Sequence, residues 1–280
     1  MQETVSVKFL QGILRPRPAA GHKGTFGHAL LVAGSYGMAG AGILAGRGCM
    51  RSGAGKLTVH IPHLNNDIIQ QALPEAVLHH DADGRCWTSK FEDTSFPAIY
   101  NAVGIGPGIG IAPETTEALY SIINKLSGQS VPMVLDADAL NILSRNPEWF
   151  AMLPPHTVIT PHPLEYRRLA DGGIDTGNVI LVLKGHRTTI TIPGNPPQQY
   201  VCPFGNCGMG TAGSGDVLTG MILGLLAQGY TPAHAAVLGV CLHAISGDIA
   251  ASELGEHSLI ASDLVDYLPH AFKYITKDTL

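Results

Sequence analysis

Asn206-Cys207-Gly208-Met209-Gly210-Thr211-Ala212-Gly213-Ser214-Gly215-Asp216 sets four glycines immediately ahead of an apolar, helix-length segment at 217–228. Glycines keep the backbone N–H groups free of side-chain bulk, so such a loop can close on an anion. The helix behind it adds unpaired N–H donors and the positive end of its dipole, which together favour phosphate. Asp216 falls in the first turn of that helix. The same field favours its ionised form, and an unprotonated carboxylate beside bound phosphate stands where the base of a phosphoryl transfer belongs. A loop closed by an Asp N-cap is the plainer and common reading; the four glycines weigh against it.

At this length the chain could hold one large α/β domain or two small ones, and length does not choose between them. The chain has 280 residues, 45% of them hydrophobic and only 14% charged, with 34 glycines, which suits close packing of helices on a sheet. A net charge of −5 gives no electrostatic footprint for nucleic acid or an anionic membrane, so phosphorylated ligands must be held by loops and single cations. Cys49, Cys86, Cys202, Cys207 and Cys241 form no C-x-x-C pair or metal-like spacing, the pattern of free thiols in a reducing cytoplasm. The first 20 residues lack a basic start followed by an apolar run, and no uninterrupted apolar run reaches the ~18 residues of a membrane span. The expectation is a soluble cytoplasmic protein.

Taken from the start, the chain opens on an exposed lead with Pro16 and Pro18, then a strand at 29–33 ending in Gly34-Ser35-Tyr36-Gly37, and a helix over 38–51. Gly40, Ala41 and Gly42 let either a ligand or another helix come close. A second strand is expected at 56–61, whereas 62–95 reads as irregular; within it His79, His80, Asp81 and Asp83 are read as a solvated loop rather than a metal site. Strands follow at 102–105, 131–135, 157–160 and 179–183, with a helix at 113–125. Each strand ends in polar or glycine-rich residues, and open α/β sheets bind ligands at such C-terminal ends. They are Gly106-Pro107-Gly108-Ile109-Gly110, Asp136-Ala137-Asp138, Thr160-Pro161-His162-Pro163-Leu164-Glu165 and Lys184-Gly185. The two aspartates suit a ligand hydroxyl or a hydrated magnesium ion, with a helix cap accounting for one of them. Pro163 at N1 and Glu165 at N3 put His162 at a helix cap. A hairpin return at 189–192, an added antiparallel strand at 199–202, and helices at 232–253 and 262–268 complete the reading.

Together, Val134-Leu135-Asp136-Ala137-Asp138-Ala139-Leu140-Asn141, the Thr160-to-Glu165 motif, Leu183-Lys184-Gly185 and the glycine loop through Gly220 resemble the ADP-dependent NAD(P)H-hydrate dehydratases of the ribokinase-like superfamily. The likeness runs over about residues 22–270, though the Gly-x-Gly-Asp core is shared with sugar and vitamin kinases. It implies one three-layer ribokinase-like α/β domain over 1–280, with a central, mostly parallel sheet and helices on both faces. It further implies conversion of (6S)-NADHX or NADPHX to NADH or NADPH, with ADP as co-substrate, Mg2+ as cofactor, and a homo-oligomer, by expectation a tetramer. By motif, Asp216 is the catalytic base and Gly213, Ser214 and Gly215 form the anion hole. Lys184, Gly185, His186, Arg187, Thr188 and Gly215 contact the AMP part of ADP. Ala41, Gly108, His162 and Asp216 touch the hydrated nicotinamide, and Asp138 and Asn141 are the metal candidates.

The connection at 170–178 departs from the family: three glycines and two aspartates stand where a further helix is usual. The expectation is an under-covered sheet face, available for self-association. The family's additional epimerase domain is expected to be absent, since no segment of its length precedes the motifs. An ATP-dependent kinase of a small vitamin precursor or sugar remains the alternative enzyme, and a nucleotide-sensing module without chemistry the alternative class. Retention of Asp216 speaks against the latter.

Overall fold

The structure is a computed structural model that describes residues 2–91 and 96–276. Its strands are β1 (Gln2–Thr4), β2 (His28–Val32), β3 (Lys56–Pro62), β4 (Val77–Asp81), β5 (Ala102–Ile105), β6 (Met133–Leu135), β7 (Val158–Ile159), β8 (Ile180–Leu183), β9 (Thr189–Ile192) and β10 (Gln198–Val201). They form a single sheet in the order β1-β10-β9-β8-β7-β6-β5-β2-β3-β4. Neighbours run parallel except β8 with β9 and β9 with β10. The C-terminal ends of β2, β5, β6, β7 and β8 therefore meet along one rim.

Side chains alternate across this sheet, as a pleat requires. Ala29 and Leu31 enter one apolar cluster while Leu30 and Val32 enter the other; Val134 opposes Met133 and Leu135, and Ile180 and Val182 oppose Leu181. Helices α1 (Val7–Ile13), α2 (Ala39–Arg51) and α3 (Asn66–Ala72) cover the first cluster, and α4 (Pro113–Leu126), α5 (Ala137–Leu143) and α6 (Pro163–Asp171) cover the second. Helices α7 (Ser214–Ala227), α8 (Pro232–Leu254), α9 (Ala261–Asp266) and α10 (Leu268–Thr276) complete the first layer. This is the expected three-layer α/β architecture. Helix α8 is long and apolar enough to cross a membrane, but 78% of its most apolar window is buried inside the fold, the environment of a core helix.

Helix α7 sits centrally, with every residue from Val217 to its end buried. Its glycines explain how. A methyl group on Gly220 would overlap the Ala45 carbonyl oxygen of α2, and one on Gly224 would stand 2.5 Å from the Cys49 carbonyl oxygen. Backbone thus meets backbone along the α2–α7 contact, and the helix behind the glycine loop is packed closely from behind.

Three expectations need correcting. The N-terminal lead is exposed at Gln2–Thr4 and over 15–20, as expected, but it is ordered: β1 extends the sheet beside β10, and Val5 and Leu10 are buried. The 62–95 stretch is also organised within its described part, residues 92–95 lying outside it. β4 pairs with β3, and Asp81 is 2% exposed. Its carboxylate accepts from His60 Nε2 at 2.9 Å, Thr88 Oγ1 at 2.5 Å and the Asp83, Thr88 and Ser89 amides. The acidic residue read as solvated is the buried pin of a loop, and these bonds hold its carboxyl well below the usual carboxylate range. Finally, the short 170–178 connection leaves no bare sheet face. Leu169 of α6, Val179 and Leu181 are all buried in the second apolar cluster, with Ile174 packed against it, so the exposed patch that motivated self-association is buried within the chain.

Candidate active site

The glycine loop is tied down before it reaches α7. Asp248 accepts from the Gly205 amide and from Asn206 Nδ2, both at 2.9 Å, while Asn206 Oδ1 caps the next turn through the Gly208 amide at 3.0 Å. Gly213 adopts φ +91°, a left-handed conformation that costs most residues energy, and a side chain there would strike Leu44. The chain then enters α7 at Ser214, earlier than the apolar pattern suggested, with Gly215 and Asp216 in the first turn; the Ser214 amide donates to the Thr211 carbonyl at 3.3 Å. The N-terminal donors of this helix have no intrahelical acceptor.

Above these amides lies a charge cluster. Lys184, just beyond β8, donates to Asp136 Oδ1 at 2.8 Å, and Thr219 Oγ1 of α7 donates to Asp136 Oδ2 at 2.7 Å. Asp136 is the N-cap residue of α5 by position, yet its side chain makes no capping bond; it serves the rim instead. A methyl on Gly215 would come within 3.2 Å of Lys184 Nζ, so the cation rests directly over the loop.

Asp216 does not follow the helix field as the sequence suggested. Burial pushes its carboxyl up to about 7, the Asp136 charge adds to the rise, and Lys184 opposes it. A carboxyl poised near neutrality suits proton acceptance better than a fully acidic one would.

His162 caps α6 as expected. Its Nδ1 accepts from the Leu164 and Glu165 amides at 3.1 and 3.2 Å, while Glu165 accepts from the His162 amide at 2.8 Å. With Nδ1 occupied as an acceptor, the ring's second nitrogen carries whatever it donates. Burial raises the Glu165 carboxyl as well, and Lys184 partly offsets this. Opposite stands His243 of α8, whose Nε2 lies 3.0 Å from the Ser214 carbonyl oxygen and 3.3 Å from its hydroxyl. Burial lowers its pKa to about 4, so a neutral ring holds the first turn of α7.

These groups enclose a cavity of about 660 Å³. Of the residues expected there, His162, Lys184, Gly185, His186, Thr188, Gly213, Ser214, Gly215 and Asp216 all line it. Arg187 does not: its guanidinium donates to the Pro203 carbonyl and pins the β8–β9 turn. Ala41, Gly108, Asp138 and Asn141 form a neighbouring group. Gly108, at φ +62°, would touch Ala41 and Met38 with any side chain, and its carbonyl accepts from the Ser35 amide at 2.5 Å. Asp138 is near enough to raise the Asp216 pKa. As metal ligands, Asp138 and Asn141 fit poorly. Asp138 accepts from the Gly110 amide at 2.9 Å, and the Asn141 amide oxygen is taken by Arg168 at 2.9 Å. Among the described residues no group of three His, Cys, Asp or Glu could hold an ion. Asp136 was singled out at its strand end for a ligand hydroxyl or magnesium but not as the partner of Lys184, and Thr219 and His243 were missed altogether. The latter two sit in apolar helices that signal only core.

A mostly parallel sheet between two helical layers, with a glycine loop, a lysine and a half-buried carboxyl at its C-terminal rim, is the architecture of a ribokinase-like protein. Arabidopsis thaliana ribokinase shares the fold alone, with a TM-score of 0.52 at 12% identity. A family model described as NAD(P)H-hydrate dehydratase matches residues 29–270, and the chain belongs to that family. It is 34% identical to the ADP-dependent (S)-NAD(P)H-hydrate dehydratase of Bacillus subtilis, over 94% of this chain and 95% of that protein. It is 35% identical to the bifunctional NAD(P)H-hydrate repair enzyme Nnr of Moorella thermoacetica, over 94% of this chain but 52% of that protein. The chain thus spans about half the length of the bifunctional relatives and nearly all of the B. subtilis one. The crystal structure of an ADP/ATP-dependent NAD(P)H-hydrate dehydratase from B. subtilis, co-crystallized with ATP/Mg2+, superposes with a TM-score of 0.82 at 32% identity, covering 98% of both chains.

Proposed function

We propose that this chain uses ADP to dehydrate (6S)-NADHX and NADPHX to NADH and NADPH, releasing AMP and phosphate. One observation carries the reading: the Asp216 carboxyl, raised to about 7, stands in the first turn of α7 beside the Gly213-Ser214-Gly215 amides and under the field of Lys184. The B. subtilis relative's name supplies the substrate class. Hydroxide is a poor leaving group, so direct loss of the C6 hydroxyl is slow. Asp216 accepts the proton of that hydroxyl as its oxygen attacks the β-phosphorus of ADP, and the bond to the bridging oxygen breaks to leave AMP. The loop amides hold the charge that gathers on the transferring group, which is where fixed donors lower a barrier most. Phosphate then departs with the C6–O electron pair, and loss of a ring proton restores the double bond.

Lys184 supports the reading as the nucleotide's cation, with Gly185, His186 and Thr188 along the adenosine side of the cavity. His162 faces the nicotinamide side, near the Ala41–Gly108 group. Magnesium belongs to the reading as the counter-ion of the nucleotide, as in the relative's ATP/Mg2+ crystals; it is bound mostly by phosphates and water, which suits a rim without a protein cage. Five free cysteines, Cys202 among them in the cavity wall, support a reducing, cytoplasmic setting. The experiment is incubation of the chain with ADP and hydrated NADH, followed at the absorbance of reduced nicotinamide. Rising absorbance with stoichiometric AMP supports the proposal; a phosphorylated product that persists would replace it with a small-molecule kinase.

A further inference from the structure

At the opposite end of the sheet from the glycine loop lies a second cavity, of about 720 Å³. We propose that it is a binding site for a small organic anion: a phosphate, sulfonate or carboxylate carried on a flat apolar body. Its walls are apolar, with Leu225 and Ile275 fully buried and Phe272 alongside. Its rim is made by Arg15, Arg17 and Arg51.

These arginines are not balanced by acid. No carboxylate of the described residues pairs with any of the three, although the chain as a whole carries a net charge of −5. Two lie over aromatic rings instead. Arg15 lies 4.7 Å over the Tyr230 ring, whose hydroxyl accepts from the Arg15 amide at 3.0 Å. Arg17 lies 3.6 Å over the Phe26 ring and donates one of its N–H groups to the Gly53 carbonyl at 3.2 Å. Guanidinium N–H groups not used within the chain remain as donor forks, and such forks match phosphate, sulfonate and carboxylate oxygens. An apolar cavity of this size with a few fixed polar groups at its mouth is the usual form of a small-molecule site. The arginines could serve merely as caps for the C-terminal ends of α2 and α7. That role accounts for Arg51 in the last turn of α2 and for the one N–H that Arg17 gives the Gly53 carbonyl just past that helix, but not for the Arg15 guanidinium, which comes from the segment before β2 and lies over the Tyr230 ring.

The test uses 8-anilinonaphthalene-1-sulfonate as probe, titrated into the full chain with the first cavity saturated by ADP and Mg2+. Expected are one saturable site, an affinity that falls with added salt, and binding about tenfold weaker by the neutral N-phenyl-1-naphthylamine, the scale of one charge-assisted hydrogen bond. Arg15→Gln and Arg17→Gln should each weaken the sulfonate by about tenfold while ADP titration stays unchanged, which also certifies the fold. Equal binding of the charged and neutral probes would reduce the cavity to an apolar hole and overturn the proposal. Loss of the signal under saturating ADP would overturn it too. So would a strong gain in affinity on removing residues 277–280, which would mark the cavity as a seat for the chain's own end.

Discussion

Asp216→Asn should make the ligand-free protein more stable in alkali while abolishing its chemistry. In the folded chain the carboxyl is raised from 3.8 to about 7; in the unfolded chain it returns to 3.8. Between those values the folded state binds the extra proton, so stability falls as pH rises through the window and stays reduced above it. The full shift sets a ceiling of about 4 kcal/mol, and solvent screening of this partly exposed side chain brings the expected figure to ~1–2 kcal/mol. Asparagine keeps the shape and has nothing to ionise. The two proteins should therefore melt together near pH 4 and diverge by pH 8, where the variant's Tm is higher by roughly 2–6 °C. Thermal melts across that range, without nucleotide, measure it. On the same preparations, turnover of hydrated NADH should drop by ~10²- to 10⁴-fold with ADP binding retained by calorimetry, and wild-type kcat/KM should rise with pH through about 7. A melting difference that does not change with pH would refute the electrostatic argument, and near-normal turnover would move the base elsewhere.

Lys184→Ala should raise the KM for ADP more than it lowers kcat. It also strands buried Asp136, a loss on the order of 3–5 kcal/mol that Asp136→Asn in the same chain should largely restore in urea unfolding; an unchanged ADP dependence removes Lys184 from the site. Gly220→Ala drives a methyl into the Ala45 carbonyl and should cost about 2–3 kcal/mol, read as a lower urea midpoint, with wild-type stability refuting the backbone contact. His243, lowered from 6.5 to about 4, contributes stability that is lost as pH falls through that interval, with a ceiling of about 3 kcal/mol. His243→Gln should flatten the acid limb of the stability curve, and an unaltered limb would place the sensitivity elsewhere.

Much of the site was legible because its residues occupy positions that only one structure explains. Glycines before an apolar run, Pro163 and Glu165 around His162, and a lysine-glycine step after a strand each specify a local geometry. That geometry puts all of them on one rim. Thr219 and His243 were not legible, because a polar residue inside an apolar helix gives no sign of which partner it meets. The polar stretch around Asp81 misled for a related reason: its partner His60 comes from the neighbouring strand, and sequence alone shows adjacency along the chain, not across a sheet. The short 170–178 connection misled in the opposite direction, since the sheet residues beside it are buried in the second apolar cluster without a further helix, Ile174 packing against that cluster. The lead before β2 had no marker of its register on β10. Even Asp216, found by motif, carries an ionisation behaviour that depends on Asp136, 80 residues away in sequence.

The Lys184–Asp136–Thr219 chain of contacts joins strand β8, the end of β6 and helix α7 before any nucleotide arrives. A free lysine side chain carries about 2 kcal/mol of rotamer entropy, which a ligand must ordinarily freeze out for itself. Here folding has already fixed the ammonium group against Asp136, so under the proposed function an incoming phosphate would meet a cation whose orientation is set. The nucleotide need only compete with Asp136 for one face of the ammonium group, and two further donors remain to reach toward it. Affinity gained this way should show as a smaller entropic penalty on ADP binding, with no additional contact in the complex to account for it.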